Sequence, residues 1–196
     1  MKRHAIIHWL LVALLILPAA GCERPPTDES DSQSGSQSGS QYFAVANGPV
    51  EFTFPAGWFK NQKENPFDLQ CLSRDERMNT GVFLLKKEDL AQDVVPKKLF
   101  ELQIQDLRSK RKNFTVVEEE QVVQLEGKRL TTVVYSGEKD SLTDYYRFTL
   151  VEFTENPKLI PIVLQVSIPS YWQENKPVLE SITASVRIRS TGAQRR

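Results

Sequence analysis

Between residues 160 and 168 the side chains of Ile160, Ile162, Leu164, Val166 and Ile168 occupy every second position. Successive side chains of an extended chain point to opposite faces, so this period of two predicts a β-strand with one face on a core. Such a strand needs neighbours to complete its hydrogen bonds and a layer to cover its apolar face. The rest of the chain supplies candidates. Val50–Phe54 alternates in the same way, and Pro55-Ala56-Gly57-Trp58 ends it with a turn. Phe67–Ser73 is expected as a second strand, with Phe67, Leu69 and Cys71 on one face, and Gly81–Lys86 as a third. Phe114–Val117 leads into Gln121–Leu125, Gly127-Lys128 turns the chain into Leu130–Tyr135, and Gly137–Asp140 turns it again into Tyr145–Phe153.

Two segments carry helical spacing. Over Val94–Arg111 the residues Val95, Leu99, Phe100, Leu102, Ile104 and Leu107 fall on a broad apolar face, with Asp93 as the expected N-cap and Pro96 in the first turn. Ser170 with Gln173 has the spacing of a capping box and opens a closing helix over Tyr171–Ala184, which Pro177 kinks or restarts. Trp172, Val178, Leu179 and Ile182 would pack it on the sheet. Strands, a helix, strands and a helix predict an α+β domain: an antiparallel sheet of about six or seven strands flanked by helices. The domain is expected over residues 42–189, close to 150 residues and enough for one core, followed by a disordered tail at 190–196.

The N-terminal segment is of another kind. Lys2 and Arg3 precede an apolar run from Ala5 to Leu17, and Leu17-Pro18-Ala19-Ala20-Gly21 ends on Cys22. A charged head, a short apolar body and small residues are the marks of a secretory signal over residues 1–21. The alternative, an uncleaved membrane span, needs about 20 apolar residues, and the run from Ala5 to Gly21 is shorter and interrupted by His8 and Pro18. Residues 17–22 resemble the lipobox of bacterial lipoproteins, which implies a diacylglyceryl group on the Cys22 sulfur, cleavage before it and acylation of the new amine. Two or three acyl chains would hold the chain stably at a bilayer, where one is marginal. From Glu23 to Gln41 no aliphatic or aromatic side chain occurs. A flexible tether over 22–41 is therefore expected, placing the domain on the order of 25 Å from the lipid.

Loss of residues 1–21 would remove His4 and His8, the only histidines, and with them any Ser-His-Asp or Cys-His device and the commonest transition-metal ligand. Lys2 and Arg3 would leave too, taking 25 basic residues to 23 against 25 acidic ones, a formal charge of −2. That balance offers nothing to attract nucleic acid. With Cys22 lipidated, Cys71 has no intramolecular partner, and its place in an alternating strand reads as a small buried hydrophobe in preference to a reactive thiol.

Phe52-Thr53-Phe54-Pro55-Ala56-Gly57-Trp58, the single mid-chain helix, and the closing sequence of a long strand at Ile162–Ile168, Tyr171-Trp172, Pro177 and Ile182–Ile188 together resemble the PsbP-like fold. That superfamily includes the photosystem II extrinsic protein, a nuclear-transport cofactor of yeast, and bacterial envelope lipoproteins of the DcrB type. The resemblance spans Val50–Ile188. It implies an α/β/α sandwich and an accessory binding or assembly role, with no catalytic residues to carry over and no cofactor.

Two polar groupings are candidate sites. Arg108, Lys110, Arg111 and Lys112 cluster at the end of the first helix, where cations suit the helix dipole, and are candidates for contact with a partner or with anionic headgroups. Glu118–Glu120 follow closely enough to neutralise part of that charge. Asp140, Ser141, Asp144 and Arg147 sit beside Tyr145 and Tyr146 as candidates for a small polar ligand. Asp68, Asp75, Glu76, Asp140 and Asp144 offer oxygen ligands, but in no ordered metal-binding series. The function expected is that of a lipid-anchored, non-catalytic envelope module on the non-cytoplasmic side of a bacterial membrane, docking on another envelope protein. The alternative is a small-ligand carrier or sensor with a pocket between sheet and helix.

Overall fold

The computed structural model describes residues 39–91 and 94–189. The signal segment, Cys22, the tether as far as residue 38, Asp93 and the tail from residue 190 lie outside the described residues. In chain order the elements are β1 (Gln41–Ala44), β2 (Val50–Phe54), β3 (Phe59–Lys60), β4 (Leu69–Leu72), β5 (Met78–Lys86), α1 (Pro96–Ser109), β6 (Lys112–Leu125), β7 (Lys128–Lys139), β8 (Leu142–Phe153), β9 (Leu159–Ser167), α2 (Trp172–Ala184) and β10 (Arg187–Ile188). Seven strands form an antiparallel sheet in the order β3-β4-β5-β9-β8-β7-β6, and β1-β2-β10 form a second, three-stranded one.

The alternating β9 lies inside the large sheet, paired with β5 and β8. Ile160, Ile162 and Leu164 meet Phe100 and Leu107 of α1, which covers one face alone. Val163, on the opposite face, joins Val82, Val134 and Val151 beneath Phe52 and Phe54 of the small sheet and Leu179 and Ile182 of α2. The architecture is thus the expected α+β sandwich, with one outer layer made jointly by a helix and a small sheet. Period two specifies which face of β2 is buried, not which strands flank it; β2 pairs with β1 and β10 and stays out of the large sheet.

Local departures have local causes. Phe67 packs on the α1 side, its ring 4.7 Å from that of Phe83 and seated where Gly81 has no Cβ, whereas Leu69 and Cys71 face the small sheet. A Cβ at Gly81 would stand 2.5 Å from that ring. Gly137 lies within β7, where its missing side chain makes room for Phe114, and the turn falls instead on Asp140 and Ser141, at φ 52° and 66°. Two positive φ values in a two-residue connection match the right-handed twist of the flanking strands. The two segments expected at 114–117 and 121–125 are one strand, β6, with register shifts around Glu118. No capping box forms at Ser170: it lies in a 3-10 turn, Pro169–Tyr171, and Tyr171 caps α2 without a side-chain hydrogen bond. Pro177 is carried inside a continuous α2. Val95 precedes Pro96 as the N-cap of α1.

Candidate functional site

The two polar groupings are rearranged by strand alternation. Asp144 and Tyr146 share one face of β8 and Tyr145 and Arg147 the other. On the α1 side, Arg111 Nε donates to the Tyr146 hydroxyl at 2.8 Å, and that hydroxyl donates to Asp144 Oδ2 at 3.3 Å. One member of the basic cluster is thereby joined to one member of the other grouping. Burial raises both the Asp144 carboxyl and the Tyr146 phenol above their ordinary values; the Tyr146 hydrogen bond and the Arg111 charge partly offset this for Asp144.

The remaining basic residues are variously engaged. Lys110 pairs with Asp106 at 2.8 Å, one helical turn earlier, and the Arg108 guanidinium lies 6.0 Å from the centre of the Phe114 ring. Lys112 is exposed. Lys110, Arg111 and Lys112 border an open hollow of about 480 Å³ with Glu138, Lys139 and Asp140. Its charge is mixed, and Asn113 Nδ2 already donates to Glu138 Oε2 at 2.8 Å. Of the acids at 118–120, Glu119 and Glu120 share the surroundings of Tyr135 with Arg108, but the direct ion pairs are made elsewhere. Glu118 binds Lys176 of α2 at 2.8 Å and accepts from Trp172 Nε1 at 3.0 Å, while Glu120 pairs with Lys97 of α1. Two acids of the bulged β6, Glu118 and Glu120, thus fasten it to both helices.

On the other face Tyr145 meets Trp172 edge-on at 5.4 Å, and Arg147 is buried, with 6% of its surface exposed. Arg147 Nη1 donates to Gln165 Oε1 at 2.7 Å and to Thr183 Oγ1 at 3.0 Å. Gln165 Nε2 in turn donates to the Leu179 carbonyl at 2.9 Å, tying β8, β9 and α2 into one buried network. Burial lowers the guanidinium to about 10, a shift opposed by the charges of Glu180 and Glu118. Arg147 lines a recess of about 240 Å³ between β6–β8 and the C-terminal half of α2. Its partners Gln165 and Thr183 carry no local sequence signal, because the chain brings them together only by folding. Among the described residues no three His, Cys, Asp or Glu side chains converge as a metal site, and no helix is long and apolar enough to cross a membrane.

A seven-stranded antiparallel sheet with α1 on one face and α2 beside a small sheet on the other is the PsbP-like fold. It is similar to cyanobacterial PsbP from Synechocystis, at 14% identity and a TM-score of 0.56, over 82% of this chain and 98% of that one. It is similar also to the Ran-binding protein Mog1p of Saccharomyces cerevisiae, at 10% identity and a TM-score of 0.55, over 79% and 98% of the two chains. LpqN of Mycobacterium tuberculosis, involved in cell envelope biogenesis, matches at 10% identity and a TM-score of 0.53, over 77% and 92%. No protein-family model and no curated protein matches the chain.

Proposed function

We propose that this chain is a non-catalytic interaction or assembly module of the bacterial envelope, anchored by lipid on Cys22 and docking through the free edge of β6. The observation that carries this reading is the edge itself. Among the described residues β6 is paired only with β7; it runs for 14 residues and leaves Val116, Val117, Val122 and Val123 between 38% and 60% exposed. An exposed aliphatic edge strand invites a further strand, and proteins usually blunt such edges. Here the blunting is selective, since Glu118–Glu120 separate the two valine pairs. Antiparallel pairing of two copies about the middle of β6 would set Glu118 of one against Glu119 of the other, and like charges directly opposite are unfavourable. The complementary occupant is an extended aliphatic segment with a basic centre, borne by another envelope protein. The same fold in a Ran-binding protein and in a protein of envelope biogenesis agrees with such a role.

A photo-crosslinking residue at position 116 or 122, introduced into the full chain in native envelopes, is expected to give the same discrete protein adduct, absent when the residue is at the exposed Glu155. Equal labelling from all three positions would refute docking at β6. Cys22→Ser is expected to abolish lipid labelling and leave the precursor uncleaved; unchanged labelling would refute the anchor.

A further inference from the structure

We propose that the recess between β6–β8 and α2 binds a free α-amino acid with an aliphatic side chain, its carboxylate on Arg147 and its ammonium group at the carboxylates of Glu119 and Glu180. The proposal does not rest on docking at β6, although Val123 and Glu119 belong to both surfaces, because ligand binding is read on the chain alone.

Arg147 provides the first reason. Only Nη1 has acceptors among the described residues, and no ion pair is formed by this guanidinium there. Every buried side-chain nitrogen or oxygen in the described structure has a partner, so the free Nε and Nη2 donors reach solvent, and the recess that Arg147 lines is their outlet. The carboxylates of Glu180 and Glu118 act on this guanidinium only from a distance, and a buried cation with no directly bonded anion is unfavourable. A planar fork of unused donors at the floor of a recess matches a carboxylate.

The rim provides the second. Glu118, Glu119 and Glu180 border the same recess. Lys176 holds Glu118 at 2.8 Å but stands 4.0 Å from Glu180, and Glu119 is exposed. An acidic mouth over a cationic floor repels a simple anion and accepts a zwitterion, with the negative end inward. Val123, Leu130, Val134 and Ala184 supply apolar walls between the two charged ends. The recess has a volume of about 240 Å³, which suits a small ligand of leucine's size. A few converging polar groups in an otherwise apolar recess are what orient a small molecule.

Isothermal titration of the full chain in mild detergent tests this with L-leucine, leucinamide, which lacks the carboxylate, and 4-methylpentanoate, which lacks the ammonium. Leucine is expected to bind saturably and each truncated analogue at least about tenfold more weakly, a loss of about 1.4 kcal/mol. Arg147→Met should lose the binding. Val123→Trp, at an exposed strand position, should fill the recess and abolish binding while leaving the thermal midpoint within a few degrees, so the test survives if the arginine variant misfolds. Absence of saturable binding by leucine, isoleucine, valine and methionine would overturn the proposal. So would leucinamide or 4-methylpentanoate binding as tightly as leucine, or leucine binding that persists in Val123→Trp.

Discussion

Phe100→Ala should destabilise the domain by about 3–5 kcal/mol. α1 covers its face of the large sheet alone, and its two buried residues are Phe100 and Leu107. The Phe100 ring stands edge-on to Phe148 of β8, centroids 6.3 Å apart at 88°, with the Lys97 ammonium 5.4 Å above it. Truncation removes the ring's transfer free energy and leaves a cavity that the sheet, paired on both sides, cannot close. A domain of this size has about 5–15 kcal/mol in total, so the change consumes a large fraction and lowers the thermal midpoint by about 10 °C. Leu102→Ala is the control: Leu102 is 49% exposed on the same helix and should alter stability by no more than about 0.5 kcal/mol. Urea unfolding monitored by circular dichroism checks both, and a Phe100→Ala midpoint close to the parent's would show that α1 is not held by this contact.

The contrast between Phe100 and Leu102 shows how far the fold is legible in the sequence. Helical spacing correctly predicts an element within two residues of α1 at each end. It also places Leu102 on the buried face, although two residues correspond to about 200° around a helix and carry Leu102 to the side opposite Phe100. β2, β8 and β9 announce themselves by alternation, whereas β3 and β10 are two residues long, a single repeat of the strand period and too short to show it. The partition of β2 into a separate sheet is invisible to periodicity for the reason already given. At the candidate sites, closeness along the chain misleads. Asp144 and Arg147 are separated by an odd number of positions and so face opposite ways, a result that the strand assignment itself implies. What no local pattern could supply is the partner set of Arg147, since Gln165 and Thr183 lie 18 and 36 residues away. Glu118 and Glu120 show the same limit. Beside a basic cluster they read as its neutralising acids, yet the bulge in β6 directs them to Lys176 and Lys97 on separate helices.

Raising the pH above 9 should weaken the fold through one thiol. Cys71 lies in the middle of β4, fully buried between the large and small sheets, in the place its alternation predicts. Burial pushes the thiol from 9.0 up to about 12. In the unfolded chain it ionises near 9, while the folded chain keeps the proton, so above pH 9 the folded state binds more protons and stability falls as pH rises. The contribution is fully present below pH 9, declines by about 1.4 kcal/mol per unit, and is lost by about pH 12, a change of about 4 kcal/mol. Tyr135 and Tyr146, also raised by burial, act in the same sense, whereas Lys128 and Arg147, lowered by burial, act in the opposite one, Lys128 below 10.5 and Arg147 from about 10 upward, so their windows overlap that of the thiol. Comparison with Cys71→Ala isolates the thiol from all four. The stability difference between parent and variant should stay constant below pH 9 and then shrink by about 2 kcal/mol by pH 10.5, measured by urea unfolding at each pH under reducing conditions. A difference that does not change across that window would show that the thiolate is accommodated in the folded state and that Cys71 is not sealed from water.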